Sequence, residues 1–276
     1  MRNTWAVCRR EFASYFQTPI GYVVVGVLAL VTGLAFTISF TYYAKMSQAP
    51  SEYAMTGVPD FEETLLSPFL VFFGTLFMFL TPLITMRLLA EERNRGTMEL
   101  LLTYPLRDRE IVFGKYLAAL GMLLVVMLLI AVDMLVLHRY VEVEPAVLWF
   151  GLLTVFLMGA AFISLGLFVS AMAQNQITAG TITFGICLLL FILGTLGEGL
   201  PEANPAPESM AEGVRNVFGF CYGVFRGLVL ELPMDAHAKN MALGVVEPVD
   251  IAYYVLVSVF FLFLTFRALE SRKWRG

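Results

Sequence analysis

Residues 91–115 read EERNRGTMELLLTYPLRDREIVFGK, and the placement of this stretch decides the fold. Apolar runs long enough to cross a bilayer flank it on both sides, so it is a connection between two spans. It carries Arg93, Arg95, Arg107, Arg109 and Lys115, with Arg87 just before it. So many cations between two spans are retained on the cytoplasmic side. Gly96 stops a helix continuing from the preceding span. Thr97 is then placed to cap a new short helix, with Glu99 in its first turn, where a carboxylate suits the helix dipole. Leu100, Leu101 and Leu102 give that helix an apolar side, and Pro105 forces Tyr104 out of helical geometry and ends it. Asp108 is expected to cap the next span, with Glu110 in its first turn. The prediction is a short amphipathic helix on the cytosolic side between two membrane helices.

Composition agrees with that placement. The chain has 276 residues, of which 59% are hydrophobic and 14% charged, and its mean hydropathy is +0.78. Soluble domains average about 45–50% apolar and about 25% charged, so a soluble globule cannot hide this much apolar surface. The net charge of −4 says little, because charge in a membrane protein matters by side. Cys8, Cys187 and Cys221 fall at different depths and offer neither metal spacing nor an obvious disulfide pair. The first apolar run starts near Pro19 and is too long for the core of a cleavable signal, so the first span is expected to remain as an anchor.

Working outward, residues 2–17 form an amphipathic helix on a 100° period. Trp5, Cys8, Phe12, Tyr15 and Phe16 share one arc, and Arg10, Glu11, Ser14 and Gln17 lie opposite. This pattern predicts a helix flat at the cytosolic interface, with Trp5, Phe12, Tyr15 and Phe16 in the lipid headgroup boundary. Spans are predicted at 20–43, 66–88, 111–137, 146–171, 177–197 and 250–268. Pro82 is expected to kink the second. The fourth, with Gly151, Gly159, Ala160, Ala161 and Gly166, is expected to pack inside the bundle, because small residues let helices approach. Asp133 is the one carboxylate of span three and lies near its outer end, where a structural role is expected. The outer stretch 198–249 begins as an acidic, Pro-rich loop. Its second part, 214–232, is apolar but interrupted by Gly219, Gly223 and Gly227, and is read as short re-entrant or interfacial helices rather than a seventh crossing. With six spans both termini are cytosolic, and thirteen of the eighteen Lys and Arg residues lie on that side. The local exception is the turn Gln174-Asn175-Gln176, which has no cation. The fold class is therefore an all-α polytopic membrane protein of six spans with an N-terminal interfacial helix, a short cytosolic helix within 91–110 and outer re-entrant helices.

The chain lacks a phosphate-binding loop, since Gly114-Lys115 is followed by Tyr116 and preceded by no second spaced glycine. No nucleophile, base and orienting acid are suggested, and nothing points to nucleic acid. His138 and His237 fall in outer loops and are read as solvated rather than as metal ligands, although Met234 and Asp235 are near the second. A membrane-embedded enzyme needs His, Asp or Glu clustered at one depth, and an ion-coupled carrier needs intramembrane charges beyond Asp133; neither pattern is visible.

The spacing E-x-x-x-G-T-x-E-x-L-L, then Pro, then E-x-x-x-G-K is formed by Glu92, Gly96, Thr97, Glu99, Leu101, Leu102, Pro105, Glu110, Gly114 and Lys115. It resembles the cytosolic segment of ABC-2-type exporter permeases. Glu11 to Tyr22, E-F-x-x-Y-F-x-x-P-I-G-Y, resembles the N-terminal elbow of permeases associated with bacterial gliding motility. Gly244 to Tyr254, with Asp250, Tyr253 and Tyr254, resembles their C-terminal end. Asp108 departs from the Ser or Thr common before the third span, and the outer stretch is longer than such permeases suggest. The resemblance implies a non-enzymatic subunit in the bacterial inner membrane, driven by a cytosolic pair of ABC ATPase subunits. That pair would hold the ATP and magnesium, leaving this chain without a cofactor. Glu91, Glu92 and Arg95 would make polar contacts around the docked helix formed from Gly96, Thr97, Glu99, Leu101 and Pro105. A second permease chain, identical or related, would complete twelve spans within membrane lipid. The longer outer stretch leaves room for a periplasmic partner at 198–249. The alternative is a mechanical transmitter that uses ATP on the inside to move a periplasmic partner and carries nothing across.

Overall fold

The computed structural model describes residues 2–17, 19–48, 64–65, 67–94, 96, 107–140, 145–197, 199–201, 205, 212–234, 237–238 and 247–273. In chain order the helices are α1 (Arg2–Gln17), α2 (Pro19–Gln48), α3 (Ser67–Thr85), α4 (Ala90–Asn94), α5 (Asp108–Tyr140), α6 (Pro145–Met172), α7 (Gln176–Gly197), α8 (Glu212–Glu231) and α9 (Pro248–Lys273). Among the described residues six segments are long and apolar enough to cross a membrane: α2, α3 through α4, α5, α6, α7 and α9. Each of these helices extends up to about a turn and a half past its predicted limits, because a helix does not end where the hydrocarbon does.

The bundle is built around α6, which packs against α3, α5, α7 and α9. Most of its apolar stretch, 72%, is buried, against 17% for α2. Its small residues explain the position. A Cβ added at Gly159 meets the Leu123 side chain at 2.8 Å and the Phe77 ring at 3.0 Å, and one at Gly166 collides with the Thr85 hydroxyl. The Gly- and Ala-rich fourth span is the centre of the bundle, as its composition predicts.

The second span departs from expectation. The helix passes through Pro82 and continues to Thr85, then opens over residues 86–89 before α4 resumes the path. Pro82 is not the site of the break, since Met86 still donates its N–H to the Pro82 carbonyl at 2.9 Å. The interruption comes from α6. Ser170 Oγ accepts the backbone N–H groups of both Leu89 and Ala90, each at 3.1 Å, and so caps the restarted helix from a different span. Arg93 of α4 returns the interaction by donating to the carbonyls of Met172 and Ala173 at the end of α6, at 3.1 and 2.8 Å. The cation missing from the turn at 174–176 is thus lent by the second span.

Two other expectations change. Arg107, not Asp108, occupies the N-cap of α5: its carbonyl accepts the N–H groups of Glu110 and Ile111, and its own N–H donates to Glu110 Oε2 at 3.1 Å. Beyond the fifth span, α8 is one continuous helix of 20 residues rather than several short ones. Cβ atoms placed at Gly223 and Gly227 meet nothing within 4 Å, so these glycines weaken helix propensity without a packing reason to break the helix. It is not among the segments apolar enough to cross a membrane.

Candidate functional site

The first turns of α5 set the site. Gly114 has no side chain, so α1 comes in close: a Cβ there meets Val7 at 2.8 Å and the Thr4 carbonyl at 3.0 Å. One turn before Gly114, Asn3 donates to both Glu110 oxygens at 3.3 Å, and two turns after it the Phe12 ring lies over Gly121. These contacts advance together along both chains, so α1 runs in the same sense as α5 for several turns. It does not lie flat across the interface. Trp5 is largely exposed, but the Phe12 and Phe16 rings meet at a tilt, 5.3 Å apart, and Tyr15 donates to the Ile84 carbonyl at 2.9 Å. Three of the four aromatics assigned to the headgroup boundary therefore turn toward the bundle.

That approach buries Lys115, whose side chain is 1% exposed. A buried ammonium requires partners, and two distant carboxylates supply them. Lys115 Nζ lies 3.2 Å from Glu11 Oε1 and 3.0 Å from Glu92 Oε1. Arg10 Nη2 closes the figure from the solvent side, at 2.7 Å from Glu11 Oε1 and 3.2 Å from Glu92 Oε1. Its hydrogen bond to Glu11 pushes the guanidinium pKa up from an already high value, so Arg10 stays charged. Among the described residues two cations and two anions thus meet in a knot that joins α1, α4 and the start of α5. Arg87 Nε pairs with Glu91 Oε2 at 3.0 Å beside it. A cleft of about 280 Å³ opens nearby, walled by Val24, Leu83, Ile84 and Met122, with Arg87, Glu91 and Gln176 at its polar edge.

The structure thus places Glu91 and Glu92 on short ion pairs to their own chain. Gly96 ends α4 as expected: it is exposed, has φ +67°, and donates its N–H to the Arg93 carbonyl at 3.1 Å. Arg95, Thr97, Glu99, Leu101 and Pro105 lie outside the described residues. Sequence reasoning named neither Arg10, Glu11 nor Lys115 as partners of this segment. The signal was present, since Glu11 belongs to the elbow motif and Gly114-Lys115 to the end of the coupling motif. The two motifs are halves of one contact.

One of the two histidines also differs from expectation, while His138 is exposed as expected. His237 is buried rather than solvated, with Nδ1 2.8 Å from Asp250 Oδ1 and its ring stacked on Tyr253 at 3.9 Å. Among the described residues no group of three or more His, Cys, Asp and Glu is arranged to hold a metal.

From residue 5 to residue 274 the sequence matches the family described as ABC-2 family transporter protein. The chain belongs to this family. An ABC-2 family protein of six apolar helices is a multi-pass membrane permease, the transmembrane component of an ABC transporter that works with an ABC ATPase. No curated protein matches the sequence. For an ABC-2 permease the position of the knot matters, because it ties the elbow helix and span three to the segment that leads out of span two.

Proposed function

We propose that this chain is the permease subunit of an exporter-type ABC transporter in a bacterial inner membrane, with both termini cytosolic. A separate ATPase pair docks on segment 91–110, and a second permease chain completes the pathway. Closure of the ATPases pushes this segment, and the ion-pair knot passes the displacement to α1 and α5. The observation that carries the reading is the burial of Lys115 between Glu11 and Glu92. It makes the root of the segment rigid with respect to two other elements, where a plain connecting loop would be compliant. The cation bias of the sequence supports the cytosolic placement.

The mechanical transmitter remains the second reading, and tight packing between α3, α6 and α7 favours it: the cavity there holds only about 10 Å³. Both readings require an ATPase. Purification of the chain from its native membrane is expected to bring an ATPase with it. Hydrolysis by that complex is expected to fall roughly tenfold, about 1.4 kcal/mol of coupling, with Glu92→Ala or Thr97→Pro. Recovery of the chain without an ATPase, or full hydrolysis in both variants, would refute docking at this segment.

A further inference from the structure

The motif Asp250-x-x-Tyr253-Tyr254 at the start of α9 has no part in the coupling site, which lies at the opposite end of the bundle. All three side chains reach the turn that follows α8. Tyr253 Oη donates to the Leu232 carbonyl at 2.7 Å, and Tyr254 Oη, on a fully buried ring, donates to the Met234 carbonyl at 2.6 Å. Asp250 Oδ1 lies 2.8 Å from His237 Nδ1, while His237 Nε2 lies 3.2 Å from the Glu231 carbonyl. The turn held in this way is not superficial. Met234 is 3% exposed and Ala238 2%. Met234 borders a cavity of about 10 Å³ with Gly74, Phe162 and Cys187, from α3, α6 and α7. Cys187 is ten residues from the end of α7 and Gly74 seven from the start of α3. At 1.5 Å per residue this is roughly 10–15 Å inside the bundle.

We propose that residues 232–234 and 237–238 form a plug in the outer mouth of the permease, and that Asp250, Tyr253 and Tyr254 are the latch that holds it shut. The inference rests on the permease reading, with this end of the bundle facing outward. One feature marks the tie as releasable. The second oxygen of Asp250 is buried without a hydrogen-bond partner among the described residues, so the latch carboxylate is only half satisfied when closed. A buried acceptor in that state lowers the net gain from closing and makes opening cheap. Opening lifts Met234 from between α3, α6 and α7 and uncovers Cys187, which is 1% exposed when the plug is closed.

Cys187 is therefore a reporter already in place. With Cys8→Ala and Cys221→Ala in the full complex with its ATPase, reconstituted in vesicles, a small methanethiosulfonate reagent added to the outer side reads its exposure. Labelling is expected to be slow at rest and about tenfold faster during ATP hydrolysis. It is expected to be several-fold faster at rest in Asp250→Asn and, as a milder variant, Tyr254→Phe. In Met234→Cys, oxidation is expected to bond residue 234 to Cys187 and stop hydrolysis, with recovery on reduction. A complex that hydrolyses ATP while Cys187 labelling responds neither to nucleotide nor to either latch variant overturns the plug. An absent or inactive ATPase counts instead against docking at 91–110, and the resting comparison of wild type with the latch variants still decides the plug.

Discussion

Lys115 shows what one residue does here. Its ammonium is out of water and is paired with the carboxylates of Glu11 and Glu92. Removing one member of a buried pair leaves the others uncompensated, at about 3–5 kcal/mol. Lys115→Met is therefore expected to lower the melting temperature of the purified chain markedly, and Glu92→Gln added to it is expected to recover part of the loss. If Lys115→Met melts like the wild type, the ammonium is hydrated and the knot is not structural. The cysteines offer a second test. Burial pushes the Cys8 thiol up, leaving less thiolate near neutral pH, whereas Cys221 is exposed. A maleimide is expected to modify Cys221 first and Cys8 only after denaturation. Tyr15 adds a pH dependence. Burial raises its hydroxyl above the unfolded value of about 10, so its neutral form is favoured by folding. That contribution is complete below about pH 10 and is lost as the pH rises above it. Melting measured across the alkaline range is expected to fall less steeply in Tyr15→Phe.

At the scale of elements, the interruption of the second span is the informative feature. Ser170→Ala removes the acceptor for two backbone N–H groups that have no helical partner. The expected cost is about 1–3 kcal/mol for each donor left unsatisfied, read as a lower melting temperature. If Pro82 were the cause, Pro82→Ala would restore a continuous helix, and amide exchange at residues 86–89 would slow. With Ser170 as the cause, that exchange stays fast in Pro82→Ala. Gly166→Val forces a side chain into Thr85 at the α3–α6 contact, and overpacking of this kind costs about 1–3 kcal/mol. The sequence shows Gly166 as a close-packing position, since small residues in an apolar helix have few other uses. It does not show Ser170 as a cap, because the groups it serves are some eighty residues earlier in the chain.

For the whole molecule, sidedness is the property to test. The described ends of the chain, Arg2 and Lys273, and the described residues at 87–94 and 107–115 share one end of the six-span bundle, and Cys221 lies beyond the fifth span. In intact cells a membrane-impermeant maleimide is expected to reach Cys221, while a cysteine placed at Arg275 is protected until the membrane is opened. Reversed labelling would put the coupling segment outside the cell and end the ATPase reading. The unequal burial of the spans has a consequence at the same scale. α2 and α7 expose most of their apolar surface while α6 exposes little, so lipid or a further chain must cover the former.

The amino-acid sequence by itself determined the membrane class, the number of apolar spans, the central place of the Gly-rich fourth span and the helix stop at Gly96. These depend on hydropathy summed over about twenty neighbours or on the backbone freedom of one residue, and both are local. Only the tertiary structure decided which acids neutralise Lys115, what interrupts the second span, how α1 lies against α5 and where His237 points. Each depends on partners far apart in the chain, and an ion pair or a cap leaves no periodic trace in either partner's own neighbourhood. Charge counting puts Glu11, Glu92 and Lys115 on one side of the membrane. Packing, through a glycine that lets one helix come close to another, sets them within hydrogen-bonding reach.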